Sequence, residues 1–133
     1  VTAASDDRVR AVVADSPFVS SESIVLNRLK RGIPLPLTLV RLWTRWWTRI
    51  LYGYDSRGLD VVAAAGRLDT TKLLFVISRR DSVIPPEHQR RVARAAPVYA
   101  RVWEHDEADH CGAYFADRRR YVDTIISFFN DAL

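Results

Sequence analysis

Two residue types that together move protons lie in the second half of this sequence. Asp81 ends the stretch Leu73-Leu74-Phe75-Val76-Ile77-Ser78-Arg79-Arg80-Asp81. His110 stands in Asp109-His110-Cys111-Gly112-Ala113-Tyr114. Each follows an apolar run that reads as a buried strand. A carboxylate beside an imidazole fixes its tautomer, and the imidazole then takes a proton from a hydroxyl nucleophile. Such relays occur in the chain order serine, acid, histidine. The second and third members are present in that order. The first is not, because no Gly-x-Ser-x-Gly turn occurs anywhere in the sequence.

The other chemistry-bearing residues weigh less. Asp15 also follows an apolar run, but the context of Asp81 is better, so Asp15 is expected to order its own turn. Ser16 lacks flanking glycines and precedes Pro17, which argues against a strained nucleophile turn. Cys111 adjoins His110, and neighbouring side chains in a loop generally diverge, so no Cys–His dyad is expected. His105, Asp106, Glu107, Asp109 and His110 are rich in metal-ligand atoms. A metal site needs three or four convergent ligands, which one short loop rarely supplies. A solvated acidic loop is the better reading, and neither metal nor cofactor is expected.

The elements that must position these residues follow from the apolar pattern. Val9 to Ala14 is short, β-branched and apolar, and reads as a strand ended by Asp15-Ser16-Pro17. Ser20 to Lys30 carries Ile24, Val25, Leu26 and Leu29 at helical spacing, before Gly32, Pro34 and Pro36. From Leu37 to Tyr52, residues Leu39, Trp43, Trp46, Trp47, Ile50 and Leu51 form one apolar stripe. Arg41, Arg45 and Arg49 recur four apart on another face, and Gly53 closes the helix. Leu59 to Gly66 reads as a third helix. Leu73 to Ile77 is the second strand, and Pro85-Pro86 start a helix through Ala95. Val98 to Trp103 is the third strand, with Val98, Ala100 and Val102 on one face. Asp117 to Asn130 is the last helix, with Tyr121, Val122, Ile125, Ile126 and Phe129 inward. Alternating strands and helices imply an α/β fold with three parallel strands. Residues just past the strand ends, Asp15, Asp81 and His110, should gather on one edge.

Composition sets the bounds. The 133 residues, 48% of them apolar, fit one domain with a real core. The formal charge of +4 comes from arginine, since Lys30 and Lys72 are the only lysines. The arginines are spread among acids, which reads as solvated surface and not as a nucleic-acid footprint. A single cysteine excludes an internal disulfide. There is no methionine and the chain begins at Val1, which suggests a fragment. No run is long enough to cross a bilayer and no leader opens the chain, so a cytoplasmic setting is expected.

Taken together, these segments resemble the C-terminal half of an α/β hydrolase, in its esterase- and peptidase-like branch. Val9 to Phe18 resembles the sixth strand of that family. Asp81-Ser82-Val83-Ile84-Pro85 is similar to the Asp-x-x-Val-Pro turn carrying the catalytic acid, and His110 to Tyr114 looks like the histidine loop. Tyr121 to Phe129 resembles the closing helix, and the tryptophan-rich segment, about 20–66, stands in the place of the lid. Ser78 departs from the family, which usually has glycine there. Thr2 to Ser5 resembles the end of the helix that follows the nucleophile, which puts the nucleophile upstream of Val1.

The resemblance implies hydrolysis of an ester, amide or peptide bond, with Asp81 and His110 as catalytic residues and the serine absent. The rival reading is a truncated, inactive hydrolase that binds a partner. Self-association, or a complementing N-terminal half, is expected. For the tryptophan–arginine helix, a lid ranks ahead of a membrane-surface anchor.

Overall fold

The computed structural model describes residues 2–20, 24, 36–53 and 60–132. After a 3-10 turn at Thr2–Ser5, the elements are β1 (Ala11–Asp15), α1 (Leu37–Tyr52), α2 (Val61–Gly66), β2 (Lys72–Ser78), α3 (Pro86–Ala95), β3 (Arg101–His105), α4 (Ala113–Ala116) and α5 (Arg118–Ala132). The strands form one parallel sheet in the order β1-β2-β3. Val13 pairs with Leu74 and Phe75 with Val102, so the three strands end near one line. The helix expected over Ser20 to Lys30 lies almost entirely outside the described residues.

The central strand is apolar on both faces because both faces are covered. On one face Leu73 and Phe75 pack with Ala65 of α2 and Val92 of α3. On the other, Val76 packs with Ala108 and Ala113, bordered by Trp103, Tyr121 and Ile125. Local signals set the helix limits. The Asp60 carboxylate accepts the Ala63 N–H at 2.9 Å and starts α2. Gly53 ends α1 at φ 63°, where its N–H donates to the Arg49 carbonyl.

Two expectations need correction. The third strand starts at Arg101 instead of Val98 and runs on to His105. Pro97 to Ala100 closes as a turn, with the Ala100 N–H donating to the Pro97 carbonyl at 2.9 Å. Val98 is fully exposed, and the Tyr99 hydroxyl is tied to the Leu68 and Asp69 carbonyls, so neither side chain belongs to a strand face. In α5 the inward row is Tyr121, Ile125 and Phe128, while Val122 and Ile126 face outward. One helix stripe meets the sheet, and the second apolar row lies beyond it.

The stripe of α1 does form along one side, but it is not buried. Leu39, Leu42, Trp43, Trp46 and Ile50 are all more than half exposed, and among the described side chains of α1 only Val40 is buried.

Candidate functional site

Asp15 is the last residue of β1, and Asp81 and His110 lie past the carboxyl ends of β2 and β3, so all three sit at one edge of the sheet. The Asp81 side chain is fully buried and the His110 side chain is one-third exposed. His110 Nδ1 lies 2.8 Å from Asp81 Oδ2. A carboxylate only accepts, so Nδ1 carries a proton, and in the neutral ring this tautomer leaves the lone pair on Nε2.

Burying a carboxylate is costly unless its lone pairs are filled. Asp81 fills them with four bonds. The Val83 and Ile84 N–H groups donate to Oδ1 at 2.8 and 2.6 Å, so the carboxylate closes its own turn. Oδ2 takes His110 and, at 2.7 Å, Gln89 Nε2. Gln89 is itself fully buried and reaches inward from the first turns of α3. Its Oε1 accepts the Ser78 N–H at 3.1 Å, and Nε2 also reaches the Ile84 carbonyl.

A second clasp joins the acid loop to the histidine loop. Asp109 accepts the Ser82 N–H at 2.7 Å and the His110 N–H at 2.7 Å, and also the Ser82 hydroxyl. These bonds hold the Asp109 carboxyl below its ordinary range, the Ser82 N–H being the largest cause. Gly112 lets the loop close. A Cβ there would sit 2.9 Å from the Asp109 carbonyl oxygen, so any side chain would force the backbone apart.

Ser16 is a third tie and not a strand-end bystander. It sits at φ 49°, a strained conformation for serine, which the sequence argued against. It is buried, its hydroxyl donates to Asp15 Oδ1, and its oxygen accepts the Cys111 N–H at 3.1 Å. Ser78, also buried, brings its hydroxyl within 3.4 Å of the Ser16 oxygen. Asp15 accepts the Tyr121 hydroxyl at 3.2 Å, and the tyrosine is raised by burial first and by Asp15 second. Asp15 thus takes part in turn and helix contacts beside the Asp81–His110 pair.

Cys111 departs from expectation. Its Sγ is 3.8 Å from His110 Nε2, because φ 49° at Cys111 swings the thiol back toward the ring. Burial pushes the thiol up, the Asp15 charge adds to this, and the Ser16 contact opposes it.

The acidic residues around the histidine loop are engaged by arginines. Arg79 pairs with Asp106 at 2.6 Å, Arg80 with Glu107 at 2.6 Å, and Arg90 with Glu104 through two bonds of 2.9 Å. His105 Nδ1 accepts the Glu107 and Ala108 N–H groups and so shapes the loop. Among the described residues no three histidine, cysteine or acidic side chains converge as a metal site would require. His88 is half-buried.

No family model and no curated protein matches the sequence. Solved structures do match in fold. An α/β hydrolase from Penicillium shares 16% identity at TM-score 0.69, over 98% of this chain and 58% of its own. An acetyl xylan esterase from Paenibacillus shares 16% at TM-score 0.67, over 98% of this chain and 40% of its own. An esterase from Pyrococcus furiosus shares 18% at TM-score 0.64, over 98% and 48%. The architecture is therefore part of an α/β-hydrolase fold, with three parallel strands and flanking helices. This chain spans between 40% and 58% of the length of those three structures.

Proposed function

We propose that the chain is the C-terminal, acid- and histidine-bearing portion of a serine hydrolase that cleaves an ester, amide or peptide bond. The nucleophilic serine and the oxyanion donors lie in a segment outside these 133 residues. The observation that carries this reading is the 2.8 Å contact between His110 Nδ1 and a wholly buried, fourfold hydrogen-bonded Asp81. That geometry leaves Nε2 as the basic atom. Nε2 takes the serine proton as the oxygen attacks the carbonyl, and Asp81 stabilises the imidazolium that forms. The same proton then goes to the leaving group, and a water repeats the cycle to release the acid. Residues 20–66, between β1 and β2, are the lid in this reading, and they shape the substrate cleft.

The test uses short-chain p-nitrophenyl esters and a serine-reactive fluorophosphonate probe. The chain alone should neither turn over ester nor take the label, because the attacking atom and the oxyanion donors are missing. Joined to the segment of its own gene that bears Gly-x-Ser-x-Gly, it should do both. Turnover should then fall about 10⁴-fold in Asp81→Asn and drop comparably in His110→Ala. Stoichiometric labelling of the isolated chain, with turnover lost in His110→Ala, would overturn the external serine. Restored activity indifferent to His110→Ala would overturn the relay.

A further inference from the structure

At the amino end of the sheet, opposite the Asp81–His110 edge, a depression of about 220 Å³ opens between the starts of β2 and β3 and the end of α5. The seven residues of β2 set about 20 Å between the two ends. Lys72, Tyr99, Arg101, Phe128, Asp131 and Ala132 contribute to the lining. Leu74 of β2 pairs with Arg101 of β3, and side chains two apart on a strand share a face. Lys72 and Arg101 therefore project from the same face of the sheet as diagonal neighbours, two like charges side by side. One of them is answered by an acid: Arg101 Nη1 donates to Asp131 Oδ2 at 2.8 Å. Lys72 has no carboxylate partner among the described residues. Its Nζ sits instead over the Tyr99 ring, 5.3 Å from the centroid. The bond to Asp131 uses one nitrogen of the guanidinium, and both side chains of that pair are half exposed. The lining thus carries one positive charge in excess.

We propose that this depression binds a small carboxylate with an apolar body, at a site separate from the Asp81–His110 centre and independent of the hydrolase reading. The carboxylate lies between Lys72 Nζ and the remaining donors of Arg101, whose planar fork suits two oxygens. The apolar body rests against the Tyr99 ring, Phe128 and Ala132. Three observations select that chemistry. First, one excess positive charge matches a monoanion. A phosphate, with nearly two negative charges, would set its second against Asp131. Second, Phe128 is a core residue, 3% exposed, so the base of the depression is rigid and apolar. A bare ion makes no use of such a wall. Third, Tyr99 offers a ring face and not a hydroxyl, because its O–H is committed to the Leu68 and Asp69 carbonyls. The other polar side chains of the lining are all charged, so recognition is ionic and a neutral alcohol gains nothing there. The volume equals that of about seven waters, which fits a carboxylate of roughly seven to nine heavy atoms, such as hexanoate or benzoate.

The experiment is a titration of the ¹⁵N-labelled full chain, followed by amide NMR shifts. Benzoate and hexanoate are the probes, with benzyl alcohol and inorganic phosphate as controls. Both carboxylates should move the Lys72, Arg101 and Asp131 amides saturably, with a Kd of about 1 mM. The Gly112 amide beside His110 should stay in place. Benzyl alcohol should leave all of them in place, phosphate should bind at least about ten-fold more weakly, and added salt should weaken the carboxylates. Lys72→Gln should weaken benzoate about five-fold. Asp131→Asn releases Arg101 and adds a positive charge, so it should tighten benzoate by a similar factor. This gain of binding keeps the test decisive even where a loss could be blamed on folding. Absence of saturable shifts at these amides would overturn the proposal. So would benzyl alcohol binding as well as benzoate, phosphate binding more tightly than either carboxylate, or benzoate affinity indifferent to both substitutions. Benzoate shifts confined to the His110 loop would place the anion at the other end of the sheet and overturn it as well.

Discussion

Gln89 Nε2 and His110 Nδ1 approach the same oxygen, Oδ2 of Asp81, at 2.7 and 2.8 Å. The glutamine fixes the carboxylate from the α3 side, and the imidazole meets it from the open side. Because the Gln89 carbonyl also holds the Ser78 N–H at the end of β2, one side chain sets both the strand end and the acid. Gln89→Leu should leave a buried N–H and a carboxylate lone pair without partners. The expected loss is about 3 kcal/mol of stability, read as a lower urea midpoint. In proton NMR the downfield His110 Nδ1–H signal should broaden. An unchanged midpoint with an unchanged signal would show that Asp81 is held by its own turn alone.

The Asp81–His110 pair was legible because two strands and their following turns carry strong local signals. β2 is an unbroken apolar run, and Asp81 is followed by two prolines that force a helix start. The residues that hold the pair were not legible in the same way. Gln89 sits on the inward side of α3 three residues before Val92, so its one visible signal is a polar residue on an apolar stripe. Asp109 read as one more acid in an acidic loop, and only the fold brings Ser82 to it. The shift of β3 has a plain cause. The alternation at Val98 to Trp103 mimicked a strand, but Pro97 and the tie from Tyr99 impose a turn, and non-local contacts outweigh β-propensity.

Arg90 joins α3 to β3 by two parallel bonds to Glu104 and a third to Glu87. The Arg90 guanidinium, chiefly through its hydrogen bonds, holds the Glu104 carboxyl below its ordinary range. A carboxyl lowered on folding contributes stability that is complete above its unfolded value and lost as pH falls through its folded value. Both side chains are partly exposed, so the contribution is about 1 kcal/mol. Glu104→Gln should therefore be less stable than the unsubstituted chain at neutral pH. The gap should close as pH drops below the usual glutamate range. Denaturant midpoints measured across acidic pH give the curve, and a gap that widens toward acid would contradict the assignment.

Cys111 faces the basic nitrogen of His110 without being activated by it. Its thiol is pushed up by burial and by Asp15, so it stays protonated at neutral pH. Iodoacetamide should alkylate it more slowly than an ordinary surface cysteine, and the rate should climb only above the usual thiol range. Once attached, the adduct stands against Nε2, 3.8 Å from the sulfur in the free chain. Modification of His110 by diethylpyrocarbonate should then slow. Rapid alkylation at neutral pH, abolished by His110→Ala, would instead reveal a thiolate–imidazolium pair.

Among the described residues the sheet leaves two edges, β1 and β3, because only β2 has neighbours on both sides. Every residue of β1 is only partly buried. Around the same sheet, Val122 and Ile126 on α5 and Phe115 beside it present apolar surface to solvent. A parallel sheet normally has both faces covered and its edges paired or blocked. β1 has no proline within it and a single charged residue, Asp15, at its end, so nothing in the strand blocks pairing. The chain should therefore self-associate through this edge, or bind a complementing N-terminal piece that supplies the next strand. Light scattering over a concentration series should show mass rising with concentration. Val13→Lys would put a charge on the edge strand, but Val13 borders the Val76 cluster, so it would damage the core as well. Ala11→Pro is cleaner, since the ladder to β2 uses the Arg10 carbonyl and the open edge carries the Ala11 N–H. It should shift the chain toward monomer with little change in circular dichroism. A strictly monomeric chain that unfolds in one cooperative step at high concentration would mean that the edge is already protected within the molecule.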